Sequence, residues 1–118
     1  MPRLKLKRAY DAPALEDGMR FLVDRYWPRG LRKERLMAVW LREVAPSLAL
    51  IKWFGHQPEL WDAFVARYHA ELDHNAAALE PIRAALEHGD VTLLYAARDT
   101  ARNNAVALRA YLEREARA

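Results

Sequence analysis

Hydrophobic and polar positions divide this chain into a series of short elements. Leu4-Lys5-Leu6-Lys7-Arg8 alternates apolar and basic side chains, the period of a strand with one buried face. Tyr10-Asp11-Ala12-Pro13 breaks that pattern, and Leu15-Glu16-Asp17-Gly18 reads as a turn or a single helical turn. Phe21-Leu22-Val23 is continuously apolar, as a strand buried on both faces would be. Gly30 and the charged segment Leu31 to Leu36 predict a short exposed helix, while Val39-Trp40-Leu41 fits either a third strand or the end of that helix. Ala45-Pro46-Ser47 marks a break, with Ser47 able to cap a helix running through Trp53. Gly55-His56-Gln57-Pro58 is the next break, and its proline suits the first turn of a helix. Leu60, Trp61, Phe64, Val65, Tyr68 and Leu72 then recur at three- and four-residue spacing and define one apolar stripe. Leu79, Ile82, Ala85 and Leu86 form the next helix, with Pro81 in or near its first turn and Gly89 placed as a C-terminal cap. Val91 to Tyr95 is a β-branched and apolar strand, Ala96 to Thr100 a loop, and Ala105, Leu108 and Leu112 the inner face of a last helix.

Strands interleaved with helices predict an α/β fold. The expectation is one domain over residues 1–118: a small, mostly parallel sheet with flanking helices in a Rossmann-like layered arrangement, its strand order open. A length of 118 residues suits a single domain, and a hydrophobic fraction of 53% is ample for a core. The formal charge of +3 is spread along the chain, which argues against the dense basic stripe typical of nucleic-acid binders. The absence of cysteine removes disulfides, thiolate catalysis and most structural zinc sites. No apolar run approaches the length that spans a bilayer, and no signal segment is visible, so the expected location is the cytoplasm without membrane attachment.

Three segments carry candidate chemistry: residues 24–30, 52–56 and 95–104. Asp24-Arg25-Tyr26-Trp27-Pro28-Arg29-Gly30 places two guanidinium groups and two large aromatic rings directly after a strand. Guanidinium forks match carboxylate and phosphate, and aromatic faces can stack. Lys52-Trp53-Phe54-Gly55-His56 pairs a basic and a titratable residue with aromatics on a loop, and Tyr95 to Asp99 leads into a helix N-terminus where backbone N–H groups favour anions. These features predict a small phosphate- or carboxylate-bearing ligand, a nucleotide included, held by Arg8, Arg25, Arg29, Lys52 and Arg98. Trp27 and Tyr95 would line or cover the pocket. His56, Asp24 and Asp99 are the available general acid/base groups. No metal site and no cofactor are expected: His69, His74 and His88 lack ligand-spaced carboxylates and read as surface residues, and no glycine-rich nucleotide fingerprint is present. The bland readings are core packing for Trp27, Trp53 and Phe54, surface ion pairing for Arg25 and Arg29, and helix capping for Asp99 or Thr100. Two other functional classes compete: a nucleic-acid-binding or regulatory module, and a homodimer built on exposed Trp27 and Trp53. The anion-site reading requires Arg25, His56 and Arg98 to meet around one concavity.

In order, KRAYD, EDGMRFLVDRYWPRGL, WLREVAPS, KWFGH and VTLLYAARD closely resemble the domain of unknown function 488 family in its YeaO-like branch. The resemblance covers nearly the whole chain. It implies a small bacterial or archaeal α/β protein with no established activity. The signature residues it carries over are Arg8, Asp24, Arg25, Trp27, Pro28, Arg29 and Gly30, then Lys52 to His56, then Tyr95, Arg98 and Asp99. Many members of the broader family have a cysteine where Tyr95 stands and a Cys-His-Arg cluster where Asn103-Asn104-Ala105 stand. The resemblance thus implies that a thiol mechanism is closed to this chain. A histidine common near Arg102 in that branch is absent too, which puts a proton-transfer role there in doubt.

Overall fold

A computed structural model describes residues 2–117. Four parallel strands, β1 (Leu4–Arg8), β2 (Met19–Leu22), β3 (Val39–Trp40) and β4 (Val91–Tyr95), form one sheet in the order β1-β4-β2-β3. The expected α/β class holds, with every pairing parallel. β4, read as a β-branched and apolar strand, lies inside the sheet and is buried along its whole length, Thr92 included. β1 is an edge: Leu4 and Leu6 pack on the main core while Lys5 reaches Asp90 and the Glu16 carbonyl. β2 starts two residues earlier than Phe21, although the Val23 N–H still bonds the Leu94 carbonyl at 3.2 Å and extends the ladder. Val39-Trp40 resolves to a strand, set apart from the one-turn helix α1 (Lys33–Leu36) by a left-handed Met37.

One face of the sheet is covered by α2 (Leu48–Phe54), α3 (Trp61–Asp73), α4 (Glu80–Leu86) and α5 (Asn104–Arg117), which bury Phe21, Val23, Val91, Leu93 and Tyr95. The other face carries the segment from Trp27 to Trp40, where Leu22, Leu94, Leu36 and Ala9 form a small second cluster, and beside it the turn at Asp17, which takes the Thr92 hydroxyl and the Arg20 guanidinium. Ser47 caps α2 through the Leu50 N–H at 3.2 Å, and Pro58 opens a 3-10 turn (Pro58–Leu60) that leads into α3. Gly89 takes no left-handed conformation and Glu87 ends α4 instead. His69 is not a plain surface residue: its ring sits edge-on to Tyr111, and Nε2 lies 2.8 Å from the Ala107 carbonyl, joining α3 to α5.

The α3 stripe is buried where its spacing demands, at Phe64, Tyr68 and Leu72. Tyr68 is completely enclosed, and its hydroxyl donates to the Val44 carbonyl at 2.5 Å. Tyr68→Phe leaves that carbonyl without its donor in an apolar surround. The expected cost is about 1–3 kcal/mol in urea unfolding with an unchanged m-value; an unchanged midpoint would show that the bond contributes nothing net.

Candidate functional site

The loops that leave the carboxyl ends of β2 and β4 diverge, one toward β3 and the other into α5, which packs back over β4 and β1. Such a divergence between parallel strands opens a crevice, the usual place for a ligand in open α/β sheets. A cavity of about 180 Å³ lies there. Asp24 and Arg25 from the β2 loop, His56 beyond α2, and Arg102, Asn103 and Asn104 at the entry to α5 form its polar wall. Ile51, Phe54 and Phe64 form its apolar wall, the two phenylalanine rings stacked 4.5 Å apart.

Each polar group is held for a local reason. The Arg25 Nε donates to the Pro46 carbonyl at 3.2 Å, which fixes the side chain and leaves both terminal nitrogens free of any protein bond among the described residues. Asp24 accepts the Ala96 N–H at 2.9 Å, tying the two loops together, and no cationic nitrogen lies within ion-pair distance of it among the described residues. Burial raises its carboxyl above the usual range against the opposing pull of the Ala96 N–H and the Asn104 side chain. His56 is held in a left-handed turn with φ of 58°. Arg102 pairs with Asp99 at 3.3 Å on the exposed rim.

The raised carboxyl has a consequence for stability. Folded Asp24 keeps its proton to higher pH than the unfolded chain does, so stability falls as pH rises from the unfolded value through the folded one. Asp24→Asn removes this titration while retaining an oxygen for the Ala96 N–H. Its melting temperature relative to the parent is expected to rise with pH across the same window and then level off. A difference that does not vary with pH, measured by scanning calorimetry from pH 4 to 8, would contradict this.

The other sequence candidates fall elsewhere. Arg98 is exposed and does not line the cavity, so of the three residues required to converge only Arg25 and His56 do, and Arg102 takes the place expected for Arg98. Arg29 and Lys52 are also exposed and outside it. Trp27 packs on the opposite face of the sheet, edge-on to Trp40 at 5.5 Å, with its indole N–H on the Leu31 carbonyl. Arg8 is spent on the chain itself: its Nε and a terminal nitrogen bond the Ala97 and Ala96 carbonyls at 3.1 and 3.0 Å, bracing the third loop from behind. Tyr95 is buried beneath that loop, its phenol raised by burial, rather than facing the cavity. Asp99 caps the turn before α5 through the Ala101 and Arg102 N–H groups, which hold its carboxyl below the ordinary value, whereas Asn103 caps α5 itself by accepting the Val106 N–H. Neither tryptophan of the supposed dimer face is exposed, and the Arg67 guanidinium lies 3.9 Å over the Trp53 ring. Among the described residues no group of three acidic or histidine side chains could hold a metal ion, and no helix is long and apolar enough to cross a membrane.

Fold and cavity together define a small parallel α/β domain with a crevice of ligand size at the carboxyl edge of its sheet. Residues 3–118 match the family described as the inactive DUF488-N3 subclade, and the chain belongs to it. Its relatives include the uncharacterized protein Rv3073c of Mycobacterium tuberculosis, 42% identical over 107 residues that cover 90% of each chain. Another is the uncharacterized protein YeaO of Escherichia coli, 36% identical over 110 residues, 92% of this chain and 96% of YeaO. No solved structure matches the chain.

Proposed function

We propose that this protein binds a small phosphate- or carboxylate-bearing anion in the cavity between the loops after β2 and β4, and holds it without turning it over. The observation that carries the reading is Arg25: half-buried, fixed at Nε, with its two terminal nitrogens unspent beside a cavity that Arg102 and His56 also line. A guanidinium so placed loses little side-chain entropy on binding and offers a fork to two oxygens at once. The N-terminus of α5, whose first N–H groups have no partner within the helix, adds positive potential to the same wall.

The size of the cavity narrows the ligand. At about 180 Å³ it is smaller than the roughly 300–1,000 Å³ of pockets that take drug-sized molecules. This supports inorganic phosphate or a compound of a few carbons over a whole nucleotide. Binding without turnover is supported by the family's description as an inactive subclade. The nucleic-acid reading draws less support, because Arg8 and Arg20 are consumed by backbone carbonyls and by Asp17.

Isothermal titration with inorganic phosphate and with three-carbon phosphates and carboxylates tests this. Saturable one-site binding to at least one of them is expected; flat heats for all would remove the reading.

A further inference from the structure

The cavity holds one feature that an anion site does not need for affinity. A carboxyl group, Asp24, stands in the same wall as the arginines. Its partners are the Ala96 N–H and the Asn104 side chain, and no cation among the described residues neutralises it. Seen from an incoming anion, it is a like charge in a confined space, a juxtaposition that costs several kcal/mol when both are ionised. The conflict vanishes if one proton lies between the carboxyl and a ligand oxygen, for the repulsion then becomes a short charge-assisted hydrogen bond.

We propose that Asp24 makes the site selective for oxyanions that bring a proton of their own, so that inorganic phosphate is accepted and sulfate, which has none to share, is rejected. The proposal rests on the anion-binding reading above and assigns Asp24 the specificity within it. Arg25 and Arg102 supply the attraction common to both anions. Asp24 reads the one difference between them, since HPO₄²⁻ can donate to a carboxylate and SO₄²⁻ cannot. The other titratable groups around Asp24 are Tyr26 on its own loop, His56 beyond α2, and Tyr68 on α3 behind it. His56 lines the same cavity, and the Asp24→Asn comparison separates any contribution of its ring from that of the carboxyl.

The raised carboxyl adds a pH signature. At low pH Asp24 carries the shared proton itself and can donate to sulfate, so discrimination fades; as pH rises and that proton leaves, sulfate affinity falls while phosphate affinity is retained.

Isothermal titration of the full chain with sodium phosphate and sodium sulfate, at pH 5 and pH 8 and at matched ionic strength, decides the matter. Phosphate is expected to bind at least about 10-fold tighter than sulfate at pH 8, equivalent to about 1.4 kcal/mol, with a ratio that shrinks as pH is lowered into the range where Asp24 takes up its proton. In Asp24→Asn, whose amide donates to either anion, the two affinities are expected to converge at both pH values. Equal binding of the two anions by the parent protein at pH 8 overturns the inference and leaves the anion site standing. A preference for phosphate that survives in Asp24→Asn also overturns it. Failure of both anions to bind the parent protein overturns the site and the inference together. The pH series on the parent chain stands by itself if Asp24→Asn does not fold.

Discussion

Replacing Arg25 by alanine is expected to weaken binding of inorganic phosphate by about 10- to 100-fold, the loss of one or two hydrogen bonds to a charged group at roughly 1.5–3 kcal/mol. The reasoning is local. Arg25 has one nitrogen committed to the Pro46 carbonyl and two turned free beside the cavity. Its removal therefore deletes anion contacts while costing the fold only one partly buried hydrogen bond. Arg25→Lys keeps the charge but loses both the fork and the Nε anchor, and its affinity should fall between those of the parent and the alanine variant. Arg98→Ala and Arg29→Ala serve as controls: both side chains are exposed and away from the cavity, and phosphate affinity should not change. Arg102→Ala should cost less than Arg25→Ala, because Asp99 already occupies part of that guanidinium. Calorimetric titration reads all of these on one scale. Equal losses from Arg98→Ala and Arg25→Ala would mean that net charge, and not this cavity, attracts the anion.

These controls follow from the difference between what is adjacent in the sequence and what is adjacent in the fold. β1 and the α3 stripe were legible because burial of one face imposes a period on the chain, and Phe64, Tyr68 and Leu72 are buried at that period, whereas β2 and β4 were legible as short apolar runs. The site was legible in part, through the residues before and after a strand end. The run from Asp24 to Gly30 looks like one unit, yet the chain passes from one face of the sheet to the other within it. Asp24 and Arg25 border the cavity, while Trp27 joins Leu22, Leu36 and Leu94 on the far side. Nothing in the order of residues marks that crossing.

Arg8 illustrates a second limit. Its use is set by two carbonyls at Ala96 and Ala97 that need a donor, and a sequence does not say which carbonyls will be left over. Arg102 was passed over for the opposite reason: the position attracted notice only for lacking a histidine. A signal was present in Asp99-x-x-Arg102, since an acidic cap three residues before an arginine at a helix entry fixes where that guanidinium lies.

The largest effect on stability is expected from a residue at the other end of the sheet. Gly18 has φ of 65° and ψ of −140°, a region essentially reserved to glycine. A Cβ added there would lie 2.1 Å from the Asp90 carbonyl oxygen and 2.7 Å from its carbonyl carbon. Neither neighbour can swing away as a side-chain end could, because the Asp90 carbonyl accepts the Met19 N–H at 3.0 Å and its carboxylate accepts the Arg3 N–H at 2.8 Å. The first bond sets the entry of β2 against the entry of β4, the central pair of the sheet, and the second ties in the residue that precedes β1. Gly18→Ala must therefore strain the backbone and push the two strands apart where their register begins. With about 1–3 kcal/mol for the strain and about 1–3 kcal/mol for the overpacking, the loss is roughly 2–6 kcal/mol. This corresponds to a fall in melting temperature on the order of 10 °C or more. Gly30→Ala is the comparison: φ is 76°, but nothing lies within 4 Å of the added Cβ, so only a conformational cost of about 1 kcal/mol remains. A Gly18→Ala variant that melts within a degree or two of Gly30→Ala would show that the contact with Asp90 relaxes freely. Because Gly18 sits at the amino ends of the strands and the cavity at their carboxyl ends, whatever fraction of Gly18→Ala stays folded at low temperature should bind phosphate with the affinity of the parent.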